Sequence, residues 1–437
     1  MRYVNLTHLV SLTEKDLNAK TISDEVDDIL GSLDGGNVSD DIDFEVGISE
    51  VALRTSLTDH QRTALRFIRG RETHERCQEM HQNFRLVTGT SSHADVPSYL
   101  TGGILADVMG LGKTLSMISA ILSSLHISRQ RPSYPDGAAY LATDVDGSCF
   151  NTGATLVVVT SMQVLKVWET EIDKHVEPNT LKTVRFHGKA RPTSPSQLID
   201  HDIVFTTYGT LSASYKKCGV LHQVNWYRVV LDEAHWIRNE NSTQYKAATS
   251  LKSVRRWCLT GTPIANKLGD LVSLLRFLHF GPFSSPVVFN QYILQPLRED
   301  SGSGALRLRA LLRTICLRRD ERLLKLPKTR LEQIEVTLQQ EEQQLYSDIM
   351  TQCARVIDEV VSSRANVKKY GVLFAVTVKL RRLCNHGAFT ITSTRVSSTG
   401  VESTLERDEG CDFCNGAMRT TWSLSFMVNF APSAVGS

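Results

Sequence analysis

The sequence predicts an α/β protein built on a parallel sheet. Short, β-branched apolar runs recur from Gly102 to Leu259, and most of the segments between them have the length and composition of helices. The runs are apolar almost throughout, which is typical of strands covered on both faces. Residues that directly follow these strands should then lie at the carboxyl edge of the sheet, where such folds bind ligands.

Six apolar runs are the predicted strands. They are residues 104–106, 155–159, 183–186, 202–205, 227–231 and 256–259. Ahead of them, apolar spacing from Leu57 to Ile68 predicts a helix with a capped start. Residues 72–101 are polar and predict an irregular insertion, and residues 128–153, rich in Pro, Gly, Ser and Asp, predict a long surface loop.

The composition disfavours a membrane-spanning or disulfide-rich secreted protein. The 437 residues are 41% hydrophobic and 22% charged, enough for two or three domains. No apolar run approaches the ~20 residues that a spanning helix needs, and no secretory signal is predicted. The scattered cysteines predict reduced thiols of an intracellular protein. The net charge of +2 averages an acidic head and a more basic body, so it selects no partner.

Residues 1–54 are predicted to be an acidic, disordered arm. From Thr21 to Leu53 the chain has acidic residues and no Lys or Arg. Such a segment is usually a solvated tail. The alternative is a segment that masks a basic DNA-binding face.

The stretch GGILADVMGLGKTL, residues 102–115, has the layout of a phosphate-binding loop. An apolar run enters a turn with Gly110 and Gly112, then Lys113 and Thr114 precede a segment with helical apolar spacing. In such loops backbone N–H groups hold phosphates, the Lys reaches the β/γ oxygens and the Thr hydroxyl holds Mg²⁺. Asp107 stands where the strict pattern has its first Gly, so an ordinary helix start is the alternative.

Two further polar turns follow predicted strands. Asp232 and Glu233 come after the fifth strand, where they could hold a metal's water shell and polarise an attacking water. The alternative is an acidic first turn on an ordinary helix. The turn Thr260-Gly261-Thr262 follows the sixth strand. The order G-K-T, D-E-A-H, T-G-T-P, each at a strand end, favours a nucleotide site over separate chance matches.

These motifs resemble those of the Swi/Snf-type, DNA-translocating ATPases of helicase superfamily two, over roughly residues 55–390. The matching segments are LTDHQRTAL, GGILADVMGLGKT, TLVVVTSMQVLKVW, IVFTTYGTL, VVLDEAHWIRN, CLTGTPIANKLGDL, LRRDERLLKLPKTR and KLRRLCNHG. Asp107 is the family's usual residue at its position. The long segment before GGILAD and the pair Cys411-x-x-Cys414 look most like the helicase-like transcription factor branch, in which a RING zinc module lies between the motor lobes.

The resemblance implies a RecA-like first helicase lobe, a P-loop NTPase fold, followed by a helical extension. Its cofactors would be ATP and Mg²⁺, and its partner in the full-length context would be duplex DNA or chromatin. The activity implied is DNA-dependent ATP hydrolysis in the nucleus, in chromatin remodelling or DNA repair, with no membrane role. By the same resemblance the lobe is residues 55–283, the extension 284–390, and 391–437 an irregular tail.

The resemblance also implies roles for single residues. The residues implied for catalysis are Lys113, Asp232 and Glu233, and those implied for Mg²⁺ are Thr114 and Asp232. The residues implied for nucleotide contact are Gln61, which would read adenine, and Asp107, Met109, Gly110, Leu111, Gly112, Lys113 and Thr114. The residues implied for coupling nucleotide state to DNA are His235, Thr260, Gly261 and Thr262. The residues implied for contact with the DNA backbone are Thr160, Ser161, Thr207 and Tyr208.

Four positions depart from the family pattern. Val108 stands where Glu or Asp is common, Ala265 where Gln is usual, and Thr160 and Gly387 where Pro is usual. None of these removes a catalytic group. Ala265 bears on coupling or on a DNA contact.

The chain after KLRRLCNHG has about fifty residues and no second phosphate-side motif. Motors of this family bind ATP between two lobes, and the second lobe supplies an arginine finger. We therefore expect a truncated product, or a gene model that leaves the reading frame, with weak activity alone. Cys411 and Cys414 lack two further ligands, which predicts free thiols and no zinc site.

A different class of function stays open at this point. A lone lobe could be a non-hydrolysing module that binds nucleotide or a partner. An unrelated P-loop kinase or GTPase is disfavoured, because it does not account for D-E-A-H and T-G-T-P in that order.

Overall fold

A computed structural model of the chain shows an α/β lobe built on one parallel sheet. It describes residues 52–73, 77–89, 101–129, 150–216, 219–264, 268–299, 301–324, 337–362, 376–381 and 383–384. The strands in this part of the chain are β1 Gly102–Leu105, β2 Phe150–Asn151, β3 Thr155–Val159, β4 Thr183–Arg185, β5 Ile203–Thr207, β6 Val224–Asp232, β7 Lys252–Leu259 and β8 Cys316–Leu317. Their order is β4-β5-β3-β6-β7-β1-β8, with β2 beside β6, and every pairing is parallel. The predicted α/β fold with a parallel sheet is confirmed.

Helices connect the strands and cover the sheet. The α-helices of the described residues are α1 Asp59–Glu72, α2 Cys77–Thr88, α3 Lys113–Ser123, α4 Leu125–Arg129, α5 Met162–His175, α6 Tyr208–Tyr215, α7 Thr243–Thr249, α8 Asp270–Phe277, α9 Pro286–Phe289, α10 Gln295–Glu299, α11 Ser301–Ile315 and α12 Gln340–Ser362. A π-helical turn, Asn290–Leu294, joins α9 to α10.

Both faces of the sheet are buried, as the apolar strands predicted. Side chains alternate between the faces of a strand, so Leu156 and Val158 enter one core while Val157 and Val159 enter the other. Helices α1, α3 and α5 contribute to the core that holds Val157. Helices α2, α6, α7, α8 and α11 contribute to the opposite core. Two-sided burial of this kind explains the absence of an apolar–polar alternation in the strand sequences.

The structure corrects one expectation and adds one strand that the sequence did not predict. The segment 72–101 was expected to be an irregular insertion, but it contains helix α2, which buries Phe84 and Val87 in a core of the lobe. Strand β8 lies within the predicted helical extension 284–390, yet it belongs to the sheet, where it pairs with β1. The sheet therefore includes Cys316 and Leu317 as well as the six predicted strands.

The chain divides into two compact units, residues 1–327 and 328–437. In the second unit the main described element is α12. The domain boundaries stay predictions. The acidic arm to residue 51, Ala265, Gly387 and the cysteines at 411 and 414 lie outside the described residues. Among the described helices, none has the length and apolar character required to span a bilayer.

A buried ion pair and a hydrogen bond tie helix α1 to strands β6 and β7. The Arg228 guanidinium donates to both carboxylate oxygens of Glu72 at 2.7 Å, and Trp257 Nε1 donates to one of them at 2.9 Å. Burial raises the pKa of Glu72, but the Arg228 charge and these hydrogen bonds outweigh it and leave the pKa below its usual value. The pair fixes where α1 sits on the sheet.

We expect Glu72→Ala to lower the free energy of unfolding by about 3–5 kcal/mol, because it leaves the Arg228 guanidinium buried without its counter-charge. Urea denaturation measures this. The control is Glu169→Ala, which removes a more exposed pair with Arg185 and should cost no more than about 1 kcal/mol. Equal effects of the two variants would contradict the assignment of Glu72 as a structural anchor.

Candidate nucleotide-binding site

The phosphate loop lies between β1 and α3, as predicted. Strand β1 ends at Leu105 and helix α3 begins at Lys113. Gly110 and Gly112 have φ of 92° and 77°, the left-handed region that a side chain disfavours. A Cβ on Gly112 would also collide with the side-chain amide of Gln61. Both glycines are therefore favoured by the backbone conformation of the loop, and Gly112 also by its close approach to Gln61.

Lys113 lies across the loop that precedes it. Its Nζ donates to the carbonyl of Asp107 at 2.8 Å and lies 3.4 Å from that of Val108. Burial lowers the pKa of Lys113, and the charges of Glu233, Asp107 and Asp232 only partly oppose this. The ammonium is thus held at the loop, close to the two carboxylates of the D-E-A-H motif.

Asp232, the last residue of β6, is held from three sides. Trp168 Nε1 donates to Oδ2 at 2.8 Å, the Glu233 N–H donates to Oδ1 at 3.0 Å, and the Tyr208 hydroxyl donates to the main-chain carbonyl at 3.0 Å. Burial raises the pKa of Asp232, whereas the Trp168 hydrogen bond favours the charged form. The carboxylate is therefore oriented before any ligand arrives. A carboxylate so held, with the Thr114 hydroxyl at the start of α3, is the donor chemistry that Mg²⁺ prefers.

Glu233 turns the chain sharply at the end of β6. Its φ is 50°, an unusual value for a residue with a side chain and a conformation associated with functional sites. Its Oε2 lies 3.2 Å from His235 Nδ1, without the geometry of a hydrogen bond. The carboxylate therefore has acceptor capacity left for a water molecule.

The turn Thr260-Gly261-Thr262 lies against the phosphate loop. The Thr260 N–H donates to the carbonyl of Leu105 at 3.1 Å, and the Thr262 N–H donates to Thr260 Oγ1 at 3.2 Å. A Cβ on Gly261 would lie 3.8 Å from the Asp107 carbonyl. The turn is therefore in position to sense a change in the loop.

Gln61 and its neighbour His60 meet the other side of the phosphate loop. Gln61 Oε1 accepts from the Thr58 N–H at 3.0 Å in the capping box of α1. His60 Nε2 donates to the carbonyl of Leu111 at 3.2 Å. Gln61, the residue implied for adenine, thus lies next to the phosphate loop.

The DNA-contact set is the least well supported. Thr160 and Ser161 are half-buried, and Ser161 caps α5 by accepting from the Val164 N–H. Thr207 is buried and caps α6. Tyr208 is fully buried, and its contact with DNA stays a prediction. Its ring stacks on the half-exposed Trp236 with 5.9 Å between centroids.

Three side chains of the site were not assigned a role by sequence reasoning. Trp168 holds Asp232, Arg318 donates to the carbonyl of Gly261 at 3.2 Å, and Arg319 pairs with Asp107. The two arginines lie in the matched segment LRRDERLLKLPKTR, so the motif located them without a function. Among the described residues no cluster of three or more His, Cys, Asp or Glu could hold a metal ion by itself.

The chain is similar to proteins of a known family over most of its length. A family model described as SNF2-related domain matches residues 60–389. An Arabidopsis thaliana protein named as a putative SWI/SNF-related matrix-associated actin-dependent regulator of chromatin, subfamily A member 3-like 1, is 32% identical over 72% of this chain and 39% of its own length. The Arabidopsis thaliana DNA repair protein RAD5B is 32% identical over 71% of this chain and 26% of its own.

The human helicase-like transcription factor is 34% identical over 56% of this chain and 25% of its own length. The chain therefore spans between 25% and 39% of the length of these three relatives. A solved Sulfolobus solfataricus SWI2/SNF2 ATPase core in complex with double-stranded DNA is 24% identical, with a TM-score of 0.44 over 77% of this chain and 61% of that one.

We expect Trp168→Phe to weaken Mg²⁺-dependent nucleotide binding several-fold, because the Asp232 carboxylate loses a neutral donor that orients it, a loss of about 1 kcal/mol. Calorimetric titration of an ATP analogue with and without Mg²⁺ measures this. Trp226→Phe is the matched control, since it removes a buried indole hydrogen bond to the Leu221 carbonyl. A loss of affinity that is equal with and without Mg²⁺ would count against a role at Asp232.

Proposed function

Because the chain belongs to the family of SNF2-related domains, we propose that it is the ATP-binding lobe of a nuclear, DNA-dependent ATPase that acts in chromatin remodelling or DNA repair. The observation that supports this most is the convergence of three strand ends. The phosphate loop after β1, the Asp232–Glu233 pair after β6 and the Thr260–Thr262 turn after β7 meet at one edge of the sheet. The parts of the proposal that go beyond ATP, namely the dependence on DNA and the role in chromatin remodelling or DNA repair, rest on the names of the relatives.

The nucleotide's phosphates would lie in the phosphate loop. Its glycine-bearing turn and the N-terminus of α3 present N–H groups, and Lys113 supplies a positive charge for the β/γ oxygens. Gln61 would contact the adenine from α1. When bound, Mg²⁺ neutralises phosphate charge, and Thr114 and Asp232 would hold it.

Glu233 is the residue we assign to the attacking water. A general base must accept a hydrogen bond from its water, and one Glu233 oxygen has no hydrogen-bond partner in the described part of the chain. The charge of Lys113 and the hydrogen bonds donated to Asp232 favour the charged form of the Asp232 carboxylate and orient it. His235 and the Thr260–Thr262 turn would couple the state of the bound nucleotide to bound duplex DNA.

A second candidate is a non-hydrolysing binding module. The chain spans at most 39% of the three relatives' length, so the activity of the whole relatives cannot be transferred to it directly. A lobe that holds the nucleotide without the second lobe's arginine would bind ATP and turn it over slowly. The two candidates differ in hydrolysis and agree on binding.

We expect Lys113→Ala to weaken Mg²⁺-ATP binding by at least about tenfold, because the variant removes the charge that faces the β/γ oxygens. Titration of a fluorescent ATP analogue measures the affinity. Lys166→Ala, at an exposed lysine on α5, is the control and should bind as the wild type does. Equal affinity for wild type and Lys113→Ala would contradict the phosphate-loop assignment.

We expect the 437-residue chain alone to hydrolyse ATP slowly, with little stimulation by duplex DNA. Fusion to a second lobe should raise the rate by on the order of a hundredfold or more, since the transition state then gains an arginine finger. Steady-state ATP hydrolysis with and without DNA measures this.

In the fusion, Glu233→Gln should abolish turnover and leave ATP binding intact, while Glu177→Gln, at an exposed carboxylate beyond α5, should change neither. Strong DNA-stimulated turnover by the chain alone would refute the two-lobe requirement.

A further inference from the structure

The strongest unassigned feature of the site is the Arg319 guanidinium. Its Nε donates to Asp107 Oδ1 at 2.9 Å and one terminal nitrogen donates to Asp107 Oδ2. The other terminal nitrogen donates to the main-chain carbonyl of His60. All three nitrogens of one side chain are thus used, two on the phosphate loop and one on the first turn of α1.

Asp107 is placed to hold the loop and not to contact the nucleotide with its carboxylate. The residue is 0% exposed, and Arg319 occupies both of its carboxylate oxygens. Its main-chain carbonyl meanwhile accepts from Lys113 Nζ at 2.8 Å. Asp107 therefore links two side chains: its carboxylate binds Arg319, and its main-chain carbonyl binds Lys113.

The main chain around Arg319 is also hydrogen-bonded to the phosphate loop. The Ala106 N–H donates to the Leu317 carbonyl at 2.7 Å, and the Val108 N–H donates to the Arg319 carbonyl at 3.1 Å. These bonds extend the β1–β8 pairing into the phosphate loop on both sides of Asp107. On the α1 side, the imidazole of His60 returns to the loop at Leu111, next to Gly112 and Gln61.

We propose that Arg319 is a positioning residue that sets the spacing between the adenine side and the phosphate side of the nucleotide site. The inference rests on the proposed ATP-binding function. Gln61 lies one residue beyond the carbonyl that Arg319 holds, and Lys113 is bonded to the residue that Arg319 pairs with. Because a guanidinium is a rigid planar fork, it fixes the geometry of both partners at once, which a lysine cannot do.

The test compares Arg319→Lys with the wild-type chain in competition titrations of a fluorescent ATP analogue against ATP and GTP. Arg319→Lys should weaken ATP binding by about tenfold and reduce the preference for ATP over GTP by about fivefold, since it keeps the charge but loses the fork. The matched control is Arg129→Lys, the same change in the bidentate pair with Asp202, which lies outside the proposed nucleotide site. It should leave the ATP affinity and the ATP preference unchanged.

A second variant distinguishes a change in the nucleotide site from a failure of the protein to fold. Asp107→Leu together with Arg319→Met replaces the pair by apolar side chains of similar size, a change that often preserves stability. It should fold and show the same loss of ATP preference. Wild-type affinity and preference in Arg319→Lys and in the double variant would overturn the inference. Failure of the wild type to bind ATP would instead refute the proposed function.

Discussion

Strand β1 is held between β7 and β8, and every part of the candidate site depends on that pairing. Leu105 pairs with Leu259 on one side and with Leu317 on the other. Beyond the strand, the carbonyl of Leu105 accepts from Thr260, and the Ala106 N–H donates to Leu317. Main-chain hydrogen bonds from both neighbours therefore fix the start of the phosphate loop before any side chain contributes.

The carboxyl edge of the sheet contains buried charged groups, and such groups are costly unless they have partners. Burial opposes the charged forms of Asp232 and Lys113, so it raises the pKa of the first and lowers that of the second. Hydrogen bonds from Trp168 and to main-chain carbonyls compensate part of that cost. The groups are thereby oriented in advance, which is the property a site for phosphate chemistry needs.

The sequence predicted most of what depends on local pattern. Strand β3 was predicted residue for residue, and the phosphate loop, the Asp232–Glu233 turn and the Thr260–Thr262 turn lie at strand ends as expected. Non-local features were missed. Strand β8 has two residues, too few for a periodic signal, and α2 owes its place to packing of Phe84 and Val87 in the core. The burial of Tyr208 was likewise not predicted, because the partner of its hydroxyl, the Asp232 carbonyl, lies 24 residues away at the end of β6.

The residue that breaks the strict phosphate-loop pattern shows why such sites are not purely local. A glycine at position 107 would leave the loop free of any side-chain tie, whereas Asp107 pairs with a residue 212 positions later in the chain. Paired buried charges are seldom a source of net stability, but their geometry is directional. Two of the buried pairs among the described residues have different roles. Glu72–Arg228 fixes a helix against β6, and Asp107–Arg319 lies at the carboxyl edge of the sheet, where direction matters for the ligand. The same interaction therefore acts as an anchor in one place and as a determinant of site geometry in the other.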